Sequence, residues 1–297
     1  MGSEMCIRDR FGEGGQLAGF RNQLINGDFR VIQRGTPAVN VDQAYQFDRW
    51  YQPGDTDQVT RGGNLGPDGF TYFAKFAAGS AARIAQYIEL DKQAQPGIFA
   101  LGSTWTMSYL AKCATGTESM TVQTWWSDGS SPTSTNSDLQ QQPPQDIDTT
   151  WRRYSWTFTI GLTGPAASNV AFTTQIRSVS TSIGSEVQVT GVQLEPGPVA
   201  TPFEHRPIGT ELALCQRYYQ TCRNLRLSPQ DITSTGREIS IPRYVIMRVD
   251  PTEAGTASGS LSSVNYLGKT ENLRITGQTS TSSQGAQINN YTADAEL

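Results

Sequence analysis

Few residues of this chain could carry out acid–base or nucleophilic chemistry, and they are scattered. The one histidine, His205, lies in a proline-bounded segment, and we interpret it as a packing or hydrogen-bonding residue. Asp146 with Asp148, or Asp128 near them, offers the simplest carboxylate pair for glycan cleavage. A glycosidase acid needs a pKa raised by burial, however, and carboxylates in a polar loop keep ordinary values. GxSxG, HExxH and phosphate-binding glycine motifs are also absent, so we predict a protein that is not an enzyme.

Sugar binding fits the residues better, because an exposed aromatic ring stacks on a pyranose while nearby amides and carboxylates exchange hydrogen bonds. In the stretch SMTVQTWW, alternation leaves Trp125 on the outer face of a strand, beside Gln123. We therefore predict Trp125 as a stacking residue, with Gln123 and Asp128 as hydrogen-bonding candidates. Trp151 starts the strand across the following polar loop and is expected to flank the same surface. The alternative is that both tryptophans cap the edge of the core.

The cysteines lack the spacing of a metal site, and a single histidine is too few to complete a zinc centre. We interpret all four as reduced thiols and expect no cofactor; they are Cys6, Cys113, Cys215 and Cys222.

Composition and charge limit the possible partners. The net charge is -4 and no cluster of lysine or arginine occurs, so a phosphate backbone would find little to bind, and we expect no nucleic-acid partner. No apolar run reaches the ~18 residues of a membrane span, so membrane insertion is not expected.

Residues 1–15 have no apolar core of the kind found in signal peptides, and MCIRDR is similar to translated sequencing-adapter sequence. We treat these residues as a probable non-native leader.

The sequence pattern predicts an all-β protein with two domains. Runs such as TWTMSYLAKC and WRRYSWTFTI alternate apolar and polar residues, as half-buried strands do. We predict a β-sandwich over residues 16–206, a helical connector over 207–225 with Thr210 as N-cap, and a small β-domain over 226–297. The polar stretch Ser127–Thr150 is expected to be a long exposed loop, either mobile or part of a binding surface.

Several spaced blocks resemble the tail-fibre and receptor-binding proteins of tailed bacteriophages. The first blocks are NQLINGDFRVIQRG and FDRW; VQLE, ATPFE, RPI and ELALCQRYY follow in that order, and IMR, DPT and YTADAEL come near the end. The resemblance covers most of the chain after residue 20. One departure stands out, since Arg243 and Tyr244 occupy the place where proline and valine usually precede the IMR block, which leaves the end of the local strand open.

The resemblance implies a jelly-roll sandwich akin to carbohydrate-binding modules, then a helix and a distal β-domain, in a virion protein that forms a homotrimer. Its partners would be other virion tail proteins and host cell-surface glycans. It would be assembled in the host cytoplasm and reside in the virion. Asp28 and Glu195 resemble the positions at which such jelly rolls hold a structural calcium ion. Two alternatives remain: a polysaccharide-degrading tail spike, and a purely architectural spacer or capsid-associated fibre.

Overall fold

The computed structural model describes residues 20–35, 44–54, 59–63, 66–67, 69–90, 99–128, 137–161, 169–227, 237–243, 245–259, 261–279 and 286–296. The chain divides into two compact units between Arg206 and Pro207. Antiparallel sheets form both units, and the second unit begins with a short helix. The predicted all-β class is confirmed.

Two sheets make up the described part of the first unit. The seven-stranded sheet has the order β1 (Ala44–Phe47), β2 (Trp50–Gln52), β5 (Arg83–Glu89), β11 (Ala171–Ser178), β7 (Glu118–Ser127) and β8 (Ser137–Gln141), with β9 (Gln145–Ile147) also pairing with β7. The five-stranded sheet has the order β10 (Arg152–Thr159), β6 (Thr104–Cys113), β12 (Val187–Pro196), β4 (Tyr72–Phe76) and β3 (Val59–Gly63).

The connections between these strands are those of a jelly roll. From β4 to β7 each successive strand changes sheet, and β10, β11 and β12 alternate between the sheets in the same way. As a result β12 lies between β4 and β6, while β11 lies between β5 and β7. This nesting of the last strands between the first ones is the double Greek key, so the predicted jelly roll is confirmed.

Alternating side chains from both sheets fill the space between them. Strand β6 buries Trp105, Met107 and Tyr109 on one face, as its sequence pattern predicts. Phe99 joins the two sheets, because its ring lies 4.5 Å from that of Trp105 and 4.3 Å from that of Phe172 on β11. Close contacts of this kind between large apolar rings supply most of the stability of a sandwich core.

The polar stretch from Ser127 to Thr150 is not a continuous loop as predicted. It contains β8 and β9, which both pair with β7, and it buries Ile147 completely. Backbone hydrogen bonds can hold a polar segment as a strand at the edge of a sheet. The hydrophobicity of its side chains alone does not predict such a strand. Residues 129–136 of this stretch lie outside the described residues.

The closing segment, residues 197–206 after β12, is held by two carboxylates, those of buried Glu195 and of partly buried Glu204. Both oxygens of Glu195 accept hydrogen bonds from Thr201, at 2.8 Å from its backbone nitrogen and 2.5 Å from its hydroxyl. Glu204 accepts hydrogen bonds from the backbone nitrogens of Phe20 and Asn22, each at 2.8 Å. Burial alone would raise the pKa of Glu204, but these donors and the Arg206 guanidinium outweigh burial and lower it. The segment therefore joins the first described residues to the last strand of the sandwich.

The described part of the second unit contains one helix and two three-stranded sheets. The helix α1 is Ile208–Gln216, and the sheets have the orders β13 (Tyr219–Leu227), β18 (Ala286–Asp294), β15 (Thr252–Gly259) and β14 (Arg237–Pro242), β17 (Asn272–Thr279), β16 (Leu261–Tyr266). Its small core includes Met247, Ile275, Ile288 and Tyr291.

Two details of the connector differ from the prediction. Thr210 lies inside α1 rather than at its N-cap, which is Pro207, whose carbonyl accepts the first helical hydrogen bonds. Strand β13 takes up the second half of the predicted connector, because its residues pair with β18 at the far end of the chain.

No helix among the described residues is long and apolar enough to span a membrane. Cys113, Cys215 and Cys222 are free thiols, as predicted, and Cys6 lies outside the described residues.

Candidate functional site

Three rows of side chains cross the outer face of the seven-stranded sheet. Alternation along β11 sends Phe172 and Ile176 into the core and leaves Thr173, Gln175 and Arg177 on the opposite face. Antiparallel register extends each of these positions into a row. The aromatic row is Tyr87, Thr173 and Trp125; the amide row is Tyr51, Ala85, Gln175, Gln123 and Gln141; the arginine row is Arg83, Arg177 and Thr121.

A groove of about 200 Å³ lies where the amide row and the arginine row meet. Its walls are Thr121, Gln123, Gln141, Arg177 and Val179. Gln123 Nε2 donates to Gln141 Oε1 at 2.8 Å, which joins the two amides across β7 and β8. The pairing leaves Gln123 Oε1 as an acceptor and Gln141 Nε2 as a donor, so the groove offers both kinds of hydrogen-bonding group beside a cation.

The aromatic row contains three buried polar atoms that have no hydrogen-bond partner within the described structure. They are Tyr87 Oη, Thr173 Oγ1 and Trp125 Nε1, and Thr173 lies directly opposite both of the other residues. Burial, and after it the neighbouring Tyr51 and Asp128, raise the pKa of Tyr87, which keeps its phenol neutral and able to donate. A buried polar atom without a hydrogen-bond partner lowers stability by roughly 1–3 kcal/mol. The aromatic row therefore places three such destabilising atoms next to one another.

Trp125 faces away from the core as predicted, but it is not exposed. Its side chain is 1% exposed, so the predicted stacking of Trp125 on a sugar is wrong for this structure. Alternation along a single strand gives the direction of a side chain but carries no information about what covers that face of the sheet.

Trp151 does not share a surface with Trp125. It precedes β10 in the five-stranded sheet, whereas Trp125 lies on β7 in the other sheet. The Trp151 ring packs edge-on against Phe73 at 5.9 Å, and the ammonium group of Lys112 lies 5.4 Å from its centre. The prediction that both tryptophans flank one surface is therefore wrong, because the strands on either side of the polar stretch enter different sheets.

Gln123 and Asp128 lie at different places on the β7 side of the seven-stranded sheet. Gln123 is half-buried and forms part of the groove. Asp128 follows β7, is exposed, and belongs to the end of the sheet near Tyr87. Of the four residues predicted to bind glycan, only Gln123 lines the groove.

Asp28 and Glu195 do not fit a calcium site. Both oxygens of Glu195 already accept hydrogen bonds, from Thr201 and from Gln193 Nε2 at 2.7 Å. Asp28 pairs with Arg30 at 3.1 Å, and burial raises the pKa of its carboxyl despite that pairing. A hard cation needs six or more oxygen ligands, and the described residues include no group of three or more acidic, histidine or cysteine side chains able to hold a metal ion.

The candidate carboxylate pair does not have the character of a glycosidase acid and base. Asp148 accepts a hydrogen bond from Thr150 N at 2.8 Å and pairs with Arg152 at 2.9 Å. These contacts lower the pKa of Asp148, whereas a general acid requires a raised pKa. Asp146 is exposed, next to the buried Ile147.

His205 takes part in packing, as interpreted from the sequence. Its ring lies 5.0 Å from Phe70 and 4.9 Å from Phe203, in a small aromatic cluster in which His205 itself is exposed.

The groove residues that sequence reasoning missed are Gln141, Arg177 and Val179, whereas the alternation of SMTVQTWW places Thr121 on the same face as Gln123. The alternation of NVAFTTQIR places Arg177 opposite in phase to Ile176, which is the signal that could have identified it. Gln141 gave no such signal, because it lies in the stretch interpreted as loop.

No family model and no curated protein matches the chain. Among solved structures, the enzymatically active domain of bacteriophage CBA120 tailspike protein 4 aligns at a TM-score of 0.40 and 15% identity, over 60% of this chain and 22% of that one. The CBM22-1 xylan-binding domain of Paenibacillus barcinonensis Xyn10C aligns at 0.38 and 9%, over 60% and 96% of the two chains. TmCBM61 in complex with β-1,4-galactotriose aligns at 0.36 and 13%, over 60% and 99%.

This chain thus spans less than a quarter of the tailspike domain. Similarities with TM-scores of 0.40 and below carry no argument about function. The fold class rests on the sheets of the chain itself.

Proposed function

We propose that this protein is a non-enzymatic glycan-binding subunit of a tailed-bacteriophage virion, a tail-fibre or receptor-binding protein. The observation that carries the glycan-binding part is the groove on the outer face of the seven-stranded sheet, where Gln123, Gln141 and Arg177 present donors and an acceptor. Sugars are recognised by such planar polar groups together with aromatic rings. The phage part rests on the spaced sequence blocks, including those of the closing segment.

The amide row does not extend the groove along the outer face. Gln175 and Ala85 connect Gln123 to Tyr51 in the strand register, but both are buried. The candidate contacts with a sugar are therefore Gln123, Gln141 and Arg177 in the groove itself.

Multivalency provides the mechanism of adhesion. Each groove is small, at about 200 Å³, so a single contact would be weak, but linked copies raise the effective concentration of the second and third contacts. A homotrimer attached to other virion tail proteins would present three such grooves to the host surface. No covalent chemistry is required for this mode of binding.

Glycan-array binding by the full chain tests this function. Wild type is expected to bind at least one bacterial surface glycan, and Gln123→Ala combined with Gln141→Ala is expected to abolish that binding. Gln188→Ala is the matched control, because Gln188 lies on β12 of the other sheet and its amide also bonds a side chain, Glu186, at 2.7 Å. The control should bind as wild type does.

Two outcomes would replace the proposal. If neither wild type nor any variant binds a glycan, the architectural spacer is the better description. If incubation of wild type with a surface polysaccharide releases shortened products, the protein is a tail spike with hydrolytic activity.

A further inference from the structure

Resting on the proposed glycan-binding function, we infer that the groove binds the acetamido group of an N-acetylated amino sugar. The first observation is the pair of amides in the described wall. Gln123 Nε2 donates to Gln141 Oε1 at 2.8 Å, so that bond leaves one acceptor oxygen on Gln123 and one donor nitrogen on Gln141. If the two amides exchanged roles, the groove would still present one acceptor and one donor.

The acetamido group has the complementary pair of polar atoms. Its N–H can donate to Gln123 Oε1, and its carbonyl oxygen can accept from Gln141 Nε2. Sugar hydroxyl groups can form the same kinds of hydrogen bond, and water competes for all of them. Selection of an acetamido group over a hydroxyl group therefore depends on its methyl group.

The second observation is an apolar side chain in the same wall. Val179 lines the groove and is 48% exposed. It follows directly after β11, and its backbone nitrogen donates to the Ser119 carbonyl of β7 at 2.9 Å, which keeps the residue beside that strand. Covering exposed apolar surface is favourable. A valine next to two amides thus matches a ligand group that combines an amide with a methyl group.

The size of the groove and the bonding of Thr121 limit what else it can hold. At about 200 Å³ the groove is smaller than the roughly 300–1,000 Å³ of pockets that enclose drug-sized molecules. It therefore accommodates one substituent of a sugar rather than a run of sugar rings. Thr121 is buried and donates its hydroxyl proton to the Gln142 carbonyl at 2.7 Å, so that proton is already used within the protein.

Matched pairs of sugars test the ligand class on the full chain. Chitotetraose is compared with cellotetraose, and N-acetylgalactosamine with galactose, by titration. The members of each pair differ only in an acetamido or a hydroxyl group on each ring, and none carries a charge, so the charge of Arg177 favours neither. We expect the N-acetylated member of at least one pair to bind about tenfold more tightly, since it adds both an amide contact and a buried methyl group.

Saturation-transfer NMR on the N-acetylated sugar locates the contact. The acetyl methyl protons are expected to receive the strongest transfer from the protein. Val179→Ser should reduce that transfer and weaken binding by about fourfold, the effect of losing one methyl contact. Val199→Ser is the matched control, because Val199 is also an exposed valine of the first unit, at 68%, and lies in the closing segment. Equal effects of both variants would overturn the inference.

Gln141→Glu separates the donor from the bond between the two amides. A glutamate oxygen still accepts from Gln123 Nε2, whereas an oxygen replaces the donor nitrogen. The preference for the N-acetylated sugar is expected to fall to about threefold or less. Gln145→Glu is the control, because it adds the same charge to β9 of the same sheet. An unchanged preference in Gln141→Glu, or an equal fall in both variants, would overturn the contact with the acetamido carbonyl.

A wrong ligand class and a wrong function give different results. Equal binding of the N-acetylated and hydroxyl members, abolished by Gln123→Ala combined with Gln141→Ala, would overturn the acetamido ligand and leave a glycan-binding protein. Absence of binding to all four sugars, and to a wider array of bacterial glycans, would overturn both. The sugar pairs need no variant, so this comparison holds even if a groove variant fails to fold.

Discussion

Arg243 and Glu253 form a buried ion pair in the second unit, with Arg243 Nη2 at 2.5 Å from Glu253 Oε1 and the two side chains 2% and 3% exposed. Glu253 also accepts hydrogen bonds from Tyr291 Oη and from Gly268 N, the latter at 2.6 Å. Arg243 is one of the two residues at which the sequence departs from the pattern of the phage proteins that it resembles. Strand β14 ends at Pro242, so Arg243 turns out of the strand and its charge is met by Glu253.

Removing one partner of this pair is expected to be costly. Glu253→Gln leaves the Arg243 guanidinium buried without its counter-charge and should lower the free energy of unfolding by about 3–5 kcal/mol. Hydrogen exchange at the amides of β17 and β18 measures this change within the second unit. Lys269→Gln is the control, because its 2.8 Å pair with Asp250 is more than half exposed on both sides. A similar loss of protection in both variants would contradict the special role of burial.

Glu195 is expected to act as a structural acceptor that needs no metal. Glu195→Gln replaces one acceptor oxygen with an amide that faces donors from Thr201 or Gln193, so the free energy of unfolding should fall by about 2–3 kcal/mol. Tryptophan fluorescence in urea reports this loss, because all six tryptophans precede residue 207. Wild type should unfold at the same urea concentration with calcium and with EDTA. A calcium-dependent shift would restore the metal site.

The contribution of Asp28 to the free energy of unfolding is expected to decrease as pH rises. Most carboxylates with a lowered pKa contribute more stability at higher pH. Burial raises its pKa above 3.8 in the folded protein, so the folded state binds a proton more tightly than the unfolded chain. The contribution is complete below 3.8 and is lost as pH rises through the folded pKa. Asp28→Asn should therefore be more stable than wild type at pH 7, and urea titrations should show the difference disappearing as pH falls below 3.8.

Asp250 is the control, because its contribution to stability is expected to depend on pH in the opposite direction to that of Asp28. Contacts with Lys269 and the Thr270 backbone lower its pKa, so its contribution is present above 3.8 and is lost as pH falls through the folded pKa. Asp250→Asn should not gain stability at pH 7. If Asp28→Asn also fails to gain stability at pH 7, the ion pair with Arg30 rather than burial determines the pKa of Asp28.

A substitution at Thr173 tests whether the buried polar atoms of the aromatic row lower the stability of the protein. Its hydroxyl is buried and has no hydrogen-bond partner among the described residues, so Thr173→Val removes a desolvated polar group at nearly constant shape and should raise the free energy of unfolding by about 1 kcal/mol. Thr190→Val is the matched opposite, because Thr190 Oγ1 donates to the Tyr72 carbonyl at 2.8 Å. That variant should lose about 1 kcal/mol. A loss at Thr173 would indicate that water or a ligand bonds its hydroxyl.

Much of the fold follows from the sequence because strand alternation reports which side chains avoid water. The apolar faces of β6 and β11, including Trp105 and Phe172, lie in the core as their patterns predict, and that of β10 packs against it through Tyr154 and Trp156. The edge strands β8 and β9 escaped prediction, since backbone hydrogen bonds to β7 hold them and few of their side chains are apolar.

The candidate site was only partly predictable. Gln123 and its outward direction follow from the alternation of β7, but its neighbours in the groove come from distant parts of the chain. Register decides that Arg177 lies beside Arg83 and that Gln141 lies beside Gln123. Register depends on the whole set of strand pairings, which no single stretch of sequence encodes.

The sequence by itself determined the β-sandwich class, the core faces and the direction in which Trp125 and Gln123 point, because these depend on local alternation. The tertiary structure alone decided that Trp125 is covered, that Trp151 belongs to the opposite sheet, and that two arginines meet beside a polar groove. The physical reason is the jelly-roll connection, in which neighbouring segments of the chain enter different sheets while distant strands become hydrogen-bonded neighbours.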